Sequence, residues 1–285
     1  MESTRDIKGR IRSVTNIQQI TKAMKMVAAA RLRKAEEKAH GAGPYAAKVE
    51  ELLRYASAAS PEFSSPLFQR RESGRRGFLV ISGDKGLAGA YNSNVMKEAA
   101  AHADRMDPDS YRMYLCGKQA RNYLKFRGYS IASYHFGFSD KPQSVHAHMM
   151  AQEMIEHFLK GEVDEIHIIY TKFYTALRQQ VTMTQLLPIV PPETAGSEAQ
   201  QEFMFLPDAE AVFSKLLPEY VEVQIYNAML QSAASELGSR MAAMTAATDN
   251  ATERIADLTL SYNKARQAQV TNEISEIVGG VNALQ

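Results

Sequence analysis

The residues with the most obvious capacity for chemistry form one glycine-bearing stretch, Gly83-Asp84-Lys85-Gly86-Leu87-Ala88-Gly89, between an apolar run and a helical segment. A glycine loop in that position is where an α/β protein cradles a phosphate, because backbone N–H groups and the helix N-terminus converge on the anion. The glycines here recur at steps of three. They match neither G-x-G-x-x-G nor G-x-x-x-x-G-K-[ST], and Lys85 stands before the middle glycine instead of closing the loop. A tight strand-to-helix turn uses the same residues without any ligand. Ser82 and Asp84 do not make a G-x-S-x-G elbow. His146, His148 and His157 suggest a metal, but helical residues two apart do not share a face, so His146 and His148 cannot both reach one ion without distortion. Cys116 is the single cysteine of the 285 residues, which excludes an intramolecular disulfide and a cysteine-based zinc site. No catalytic, cofactor or metal motif of a recognised kind results.

The elements that hold this stretch alternate. Short apolar runs at 77–82, 111–116, 130–134, 165–170 and 180–187 read as strands, and 91–103, 117–127 and 145–160 as helices. Strands alternating with helices predict a parallel or mixed sheet with helical covers, a Rossmann-like α/β domain over 74–206. Loop composition at Ser57–Pro66 and at Val190–Ser197 bounds it, with a possible edge strand at Glu202–Phe205.

This domain interrupts two long helical segments, 1–58 and 207–285. In the second, Leu237, Met241, Met244, Thr248, Ala251, Ile255, Leu258, Tyr262 and Ala265 recur in alternating steps of four and three, a coiled-coil seam. At roughly 1.5 Å per residue this helix extends on the order of 100 Å, which requires a partner. Past Tyr262 the apolar positions are expected at Arg266, Val270 and Ile274, steps of four that unwind the supercoil, before Ile277, Val281 and Leu284. In the first segment Ile7, Ile11, Val14, Ile17, Ile20, Met24, Val27 and Leu32 are expected on or near one face, with an interruption or kink at Gly41-Ala42-Gly43-Pro44. Chain ends of a compact domain commonly lie together, so the two helices are expected to pair antiparallel. The second outruns the first, leaving an apolar tip that reads either as a frayed C-terminus or as a segment seated in a socket on another chain.

Charge narrows the partners. The chain has 33 Lys and Arg against 32 Asp and Glu, a formal charge of +1, and 45% hydrophobic residues. That balance argues against a nucleic-acid protein, and no apolar run approaches a membrane span. Between Ile7 and Ala35 there is no acidic residue, while Lys8, Arg10, Arg12, Lys22, Lys25, Arg31, Arg33 and Lys34 fall there. Asp249, Glu253 and Asp257 repel one another at i,i+4 spacing on the second helix. Proximity to the basic helix would relieve both.

Several long motifs resemble one family. Asp6-Ile7-Lys8-Gly9-Arg10-Ile11 and Ile20-Thr21-Lys22-Ala23-Met24-Lys25-Met26-Val27-Ala28-Ala29-Ala30 resemble the N-terminal helix of the gamma subunit of F-type rotary ATP synthases. Gly86-Leu87-Ala88-Gly89-Ala90-Tyr91-Asn92 resembles its turn after the first strand. Ala246-Ala247-Thr248-Asp249-Asn250-Ala251, Leu258-Thr259-Leu260-Ser261-Tyr262-Asn263-Lys264-Ala265-Arg266-Gln267-Ala268 and Thr271-Asn272-Glu273-Ile274-Ser275-Glu276-Ile277 resemble its C-terminal helix. The resemblance implies a non-catalytic rotor shaft with no cofactor. Its coiled coil would turn inside a ring of three alpha and three beta subunits, and its α/β domain would meet the epsilon subunit and the membrane c-ring. It implies ring contacts at Met24, Lys25, Arg266, Gln267, Thr271 and Glu273, and a peripheral position on the cytoplasmic face of a bacterial membrane. The residues alone leave two alternatives: a static coiled-coil scaffold or homodimer, and a small-molecule α/β enzyme with helical extensions.

Overall fold

The computed structural model describes residues 3–60, 62–71, 74–190 and 208–282, with positions 276 and 279–282 described by backbone alone. Five helices and five strands follow one another as α1 (Thr4–Ala59), β1 (Arg76–Ile81), α2 (Tyr91–Ala103), β2 (Tyr111–Cys116), α3 (Lys118–Phe126), β3 (Ile131–His135), α4 (Ser144–Leu159), β4 (Glu165–Phe173), β5 (Gln179–Leu187) and α5 (Ala209–Asn282), with a 3₁₀ turn at Pro66–Phe68. The expected strand at Glu202–Phe205, most of the second linker, and Leu284 lie outside the described residues. The chain divides into two compact units, Ala29–Arg240 and the pair Met1–Ala28 with Met241–Gln285.

The larger unit is built on one sheet of order β3-β2-β1-β4-β5. Its first four strands are parallel, and β5 returns antiparallel to β4. Every residue of β1 after Arg76 is buried, because a central parallel strand has helices on both faces. On one face Phe78, Val80, Met113, Leu115 and Ile169 pack with Val95 and Ala99 of α2 and Leu124 of α3. On the other, Leu79, Ile81, Tyr114 and Ile168 pack with Met150 and Met154 of α4, Leu53 of α1, and Phe213, Leu217, Val221 and Ile225 of α5. Phe63 stacks on Phe213 at 4.2 Å between ring centroids.

Helix α1 continues through Gly41–Pro44 without interruption, against expectation. Proline in a helix interior costs about 3 kcal/mol. Ala39, Ala46, Val49, Leu53 and Ala56 are all buried on one stripe across it, and that continuous burial outweighs the lost backbone bond. Asp208 caps the start of α5 by accepting a bond from the Ala211 N–H at 2.7 Å.

In the smaller unit α1 and α5 pair antiparallel. Thr4 donates to Gln269 at 3.1 Å, Gln18 to Thr252 at 2.7 Å, and Thr248 bonds Thr21 at 2.9 Å. Position numbers rise along one helix as they fall along the other. Among the covered positions of α1, Ile7, Ile11, Val14, Gln18, Thr21, Lys25 and Ala28 alternate strictly in steps of four and three, with Thr4, Thr15 and Met24 half-buried beside them. The expected face therefore needs correction: Ile17, Ile20 and Val27 are 52%, 59% and 53% exposed. Two consecutive steps of three after Val14 carry a stripe around the helix and away from its partner, whereas the 3.5-residue period keeps facing it. Polar Gln18 and Thr21 hold the seam because each finds a hydrogen-bonding partner on α5.

On α5 the same correction applies near the end. The half-buried positions run Tyr262, Ala265 and Ala268, with exposed Gln269 bonded to Thr4, and Arg266, Val270 and Ile274 are exposed, so the expected run of fours does not form the seam. Asp249, Glu253 and Asp257 are exposed, and none forms an ion pair with α1 among the described residues.

Candidate functional site

In an open parallel sheet a ligand binds in the crevice at the carboxyl ends of the strands, where the connections change sides. Here α2 and α3 cover one face and α4 the other, so that point lies between β1 and β4, directly beside the Gly83–Gly89 loop. The crevice is filled by the chain itself. Ser235 of α5 donates to the Thr171 carbonyl at 3.1 Å, Ser232 accepts from the Thr171 N–H at 3.4 Å, and Gln231 accepts from the Phe173 N–H at 3.1 Å. One turn on, Glu236 presses against Gly83, where any Cβ would come within 2.9 Å of its carboxyl carbon. Gly238 serves the same close approach, with Gln179 Nε2 2.7 Å from where a Cβ would stand.

Charge inside the crevice is supplied internally as well. Asp84 accepts bonds from the N–H groups of Lys118 at 3.1 Å, Gly137 at 2.8 Å and Ser139 at 3.1 Å. Its carboxylate thereby caps the N-terminus of α3. The loop itself is stitched by Asn92, which accepts from the Gly83 N–H at 2.8 Å and donates to the Lys85 carbonyl at 3.1 Å. Glu236, 1% exposed, pairs at 2.6 Å with Arg240, which also donates to the Gly86 carbonyl at 3.2 Å. Burial pushes the Glu236 carboxyl above the usual carboxylate range, and Arg240 offsets this only in part. Its second oxygen has no hydrogen-bond partner.

Asp140 ties the same loop to α1. It bonds Lys85 at 2.9 Å and Arg31 at 3.0 Å, and the Lys85 bond holds its carboxyl below the usual range. A depressed folded-state pKa contributes stability above the ordinary aspartate range and loses it as pH falls through the folded value. Asp140→Asn is therefore expected to cost about 1 kcal/mol at neutral pH, since both cations are half-exposed, and nothing in strong acid. Urea titrations of both chains at the two pH values measure the difference.

The histidines serve separate structural ends. His146 stacks on Phe138 at 4.0 Å and accepts from the Gln143 N–H, His148 meets Glu222 at 2.7 Å, and His157 meets Glu162 at 2.8 Å. No group of three metal-binding side chains occurs among the described residues. Cys116 is buried, and its thiol is pushed up to about 12 by burial, so it is a packing residue and not a nucleophile.

The six expected contact residues all lie on the smaller unit but in two groups. Met24 and Lys25 are half-buried on α1, Lys25 at a seam position. Arg266, Gln267, Thr271 and Glu273 are exposed on α5. The Thr21–Thr248 pairing separates the groups by roughly five helical turns. Within the second group Thr271 donates to the Gln267 carbonyl at 2.9 Å, and Glu273 accepts from Gln269 at 2.9 Å. Past Gln269 α5 has no seam partner on α1 among the described residues, and Val270, Ile274, Ile277 and Val278 are exposed on it. The residues that sequence reading missed are those that fill the crevice. Their signal is the run of small residues Ser232-Ala233-Ala234-Ser235, which permits close approach of a helix to strand ends.

Comparison with known proteins gives one family throughout. A family model described as ATP synthase matches residues 3–284. The ATP synthase gamma chain of Desulforamulus reducens is 42% identical over 285 residues, and that of Heliobacterium modesticaldum 44% over 293, each covering both chains in full. Among solved structures, a chain of the Euglena gracilis mitochondrial ATP synthase (OSCP/F1/c-ring, rotational state 3) aligns with a TM-score of 0.72 at 18% identity, covering 99% of this chain and 94% of that one. A chain of the Tetrahymena thermophila mitochondrial ATP synthase central stalk and c-ring aligns at 0.64 with 23% identity, covering 80% and 99%. At those identities the structures speak to fold.

Proposed function

This chain belongs to the ATP synthase gamma family, and on that premise we propose that it is the non-catalytic shaft of an F-type ATP synthase, turned inside a ring of three alpha and three beta subunits. The observation that carries the reading is the surplus of apolar surface on the smaller unit. Its seam is complete, yet Ile17, Ile20, Met26 and Val27 on α1 and Leu260, Val270, Ile274, Ile277 and Val278 on α5 remain exposed. Exposed apolar residues distributed around a helical pair that has already satisfied its own seam call for an enclosing partner. An asymmetric rod enclosed by three equivalent subunits meets each of them differently. Rotation then exchanges which subunit receives which contact, and with it the conformation that subunit favours.

Met24, Lys25, Arg266, Gln267, Thr271 and Glu273 are the proposed ring contacts. Arg266 suits the role because its guanidinium is exposed and leaves the seam to Ala265. The α/β unit is the proposed seat for the epsilon subunit and the c-ring, at the cytoplasmic face of a bacterial membrane. No described helix is long and apolar enough to cross a membrane. Glu236, Arg240 and Asp84 occupy the sheet's carboxyl edge, the place where an α/β enzyme binds its ligand, which favours the shaft over an enzymatic reading.

Arg266→Ala combined with Gln267→Ala is expected to lower multi-site ATP turnover of the alpha–beta complex roughly tenfold or more, as loss of about 1.4 kcal/mol of contact requires. Far-UV circular dichroism should not change, because both side chains are exposed. Parental turnover in that variant would remove these residues from the contact.

A further inference from the structure

The Glu236–Arg240 pair raises a question that stability does not answer. A buried ion pair is often no better, and frequently worse, than apolar side chains of the same volume. This one also leaves Glu236 Oε2 unbonded and demands glycine at position 83. Its neighbours on α5 extend the same polar face: Gln231, Ser232 and Ser235 all bond the backbone of β4 at Thr171 and Phe173. The helix is therefore joined to the sheet at both β4 and the loop after β1, by groups whose bonds are directional.

We propose that this polar face is a rotational lock, which fixes the turn of α5 about its own axis against the carboxyl ends of β1 and β4. Apolar packing is non-directional and lets a helix roll by small side-chain adjustments. Hydrogen bonds weaken steeply once their angles open. A face made of Gln231, Ser232, Ser235 and Arg240 therefore resists twist where leucines would yield. Arg240 is central because one guanidinium nitrogen reaches both Glu236 and the Gly86 carbonyl, and Asp140 brings Lys85 of the same loop to Arg31 on α1. Both helices are thus fastened to one loop. The lock rests on the shaft reading: α5 also carries Arg266 to Glu273, so torque arising there is delivered to the sheet without slip. Glu236 and Arg240 are positioning residues in this scheme.

The test uses the whole chain assembled with alpha and beta subunits, with a bead attached through Leu177→Cys, an exposed site on the α/β unit. Buried Cys116 does not compete for the label. In the double variant Glu236→Leu/Arg240→Met, assembly, ATP turnover at low load and melting temperature should match the parent. Thermal fluctuation of the bead on the stalled complex should widen, and torque under viscous load should fall. Arg240→Lys, which keeps the charge but loses the two-way donor, should fall between. Parental fluctuation and torque in a folded double variant would overturn the lock. If the double variant does not fold, parental stiffness in Arg240→Lys overturns it instead. Failure of the parent chain to assemble at all would overturn the shaft reading, and the lock with it.

Discussion

Replacing Gly117 by alanine is expected to destabilise the α/β unit by about 4 kcal/mol or more, in the range reserved for severe single substitutions. Gly117 joins β2 to α3 with φ +104°, and an added Cβ would stand 2.3 Å from the Ser82 carbonyl oxygen. Ser82 cannot retreat. Its N–H donates to the Cys116 carbonyl at 2.7 Å, its hydroxyl donates to the same carbonyl at 3.1 Å, and that hydroxyl accepts from the Ala120 N–H at 3.1 Å. Gly117 itself is held by the His135 carbonyl at 2.8 Å. Gly128→Ala is the control: φ is +78° there, but nothing lies within 4 Å of a Cβ, so only the left-handed penalty of roughly 1–2 kcal/mol applies. Urea unfolding of the two variants separates clash from backbone strain. Equal losses would mean that Ser82 moves aside.

Arg240→Ala is expected to cost about 3–5 kcal/mol, because it strands the Glu236 carboxylate, whose nearest alternatives are the Gly83 backbone and its own buried surroundings. Adding Glu236→Leu to Arg240→Ala should recover most of that loss, since the penalty belongs to the unpaired charge and not to the missing contact. The cycle is read by thermal or denaturant unfolding at neutral pH. A loss in the double variant equal to the sum of the two single losses would show that the two groups do not act as a pair. Raising the proton concentration should also lessen the cost of Arg240→Ala, because a protonated Glu236 is no longer a stranded charge.

Both predictions concern the part of the molecule least visible in the sequence. The bounds of α2 and β2 could be read directly, since each is an apolar or small-residue run between strong turn signals. The extent of α5 was equally plain from its period. The seam on α1 was not, because hydrophobicity points to Ile17, Ile20 and Val27 while geometry selects Gln18, Thr21 and Ala28. Residue type alone cannot separate an apolar side chain meant for its own helix pair from one meant for another chain. Pro44 misled for a related reason: propensity is local, and the burial that carries α1 past it comes from tertiary contacts. The spacing of the glycine loop matches neither phosphate-binding pattern. What displaces a ligand there, Glu236, lies more than a hundred residues away in sequence, where no motif could connect it to Gly83.

The proposed ring contacts follow from the same distinction between seam and surplus. The sequence pattern places Arg266 in the seam, and its exposure makes the role simpler, because no buried cation needs explaining. Glu273 has one carboxylate oxygen already engaged by Gln269, which restrains its reach toward an outside partner. Its substitution should therefore have a smaller effect than that of Arg266.

The most direct test of the shaft is ATP hydrolysis by alpha and beta subunits mixed with and without this chain, with the composition of the product measured alongside. The shaft predicts that one copy joins three alpha and three beta subunits and that multi-site turnover rises strongly. Absence of the chain from the complex, with turnover unchanged by its addition, would contradict it.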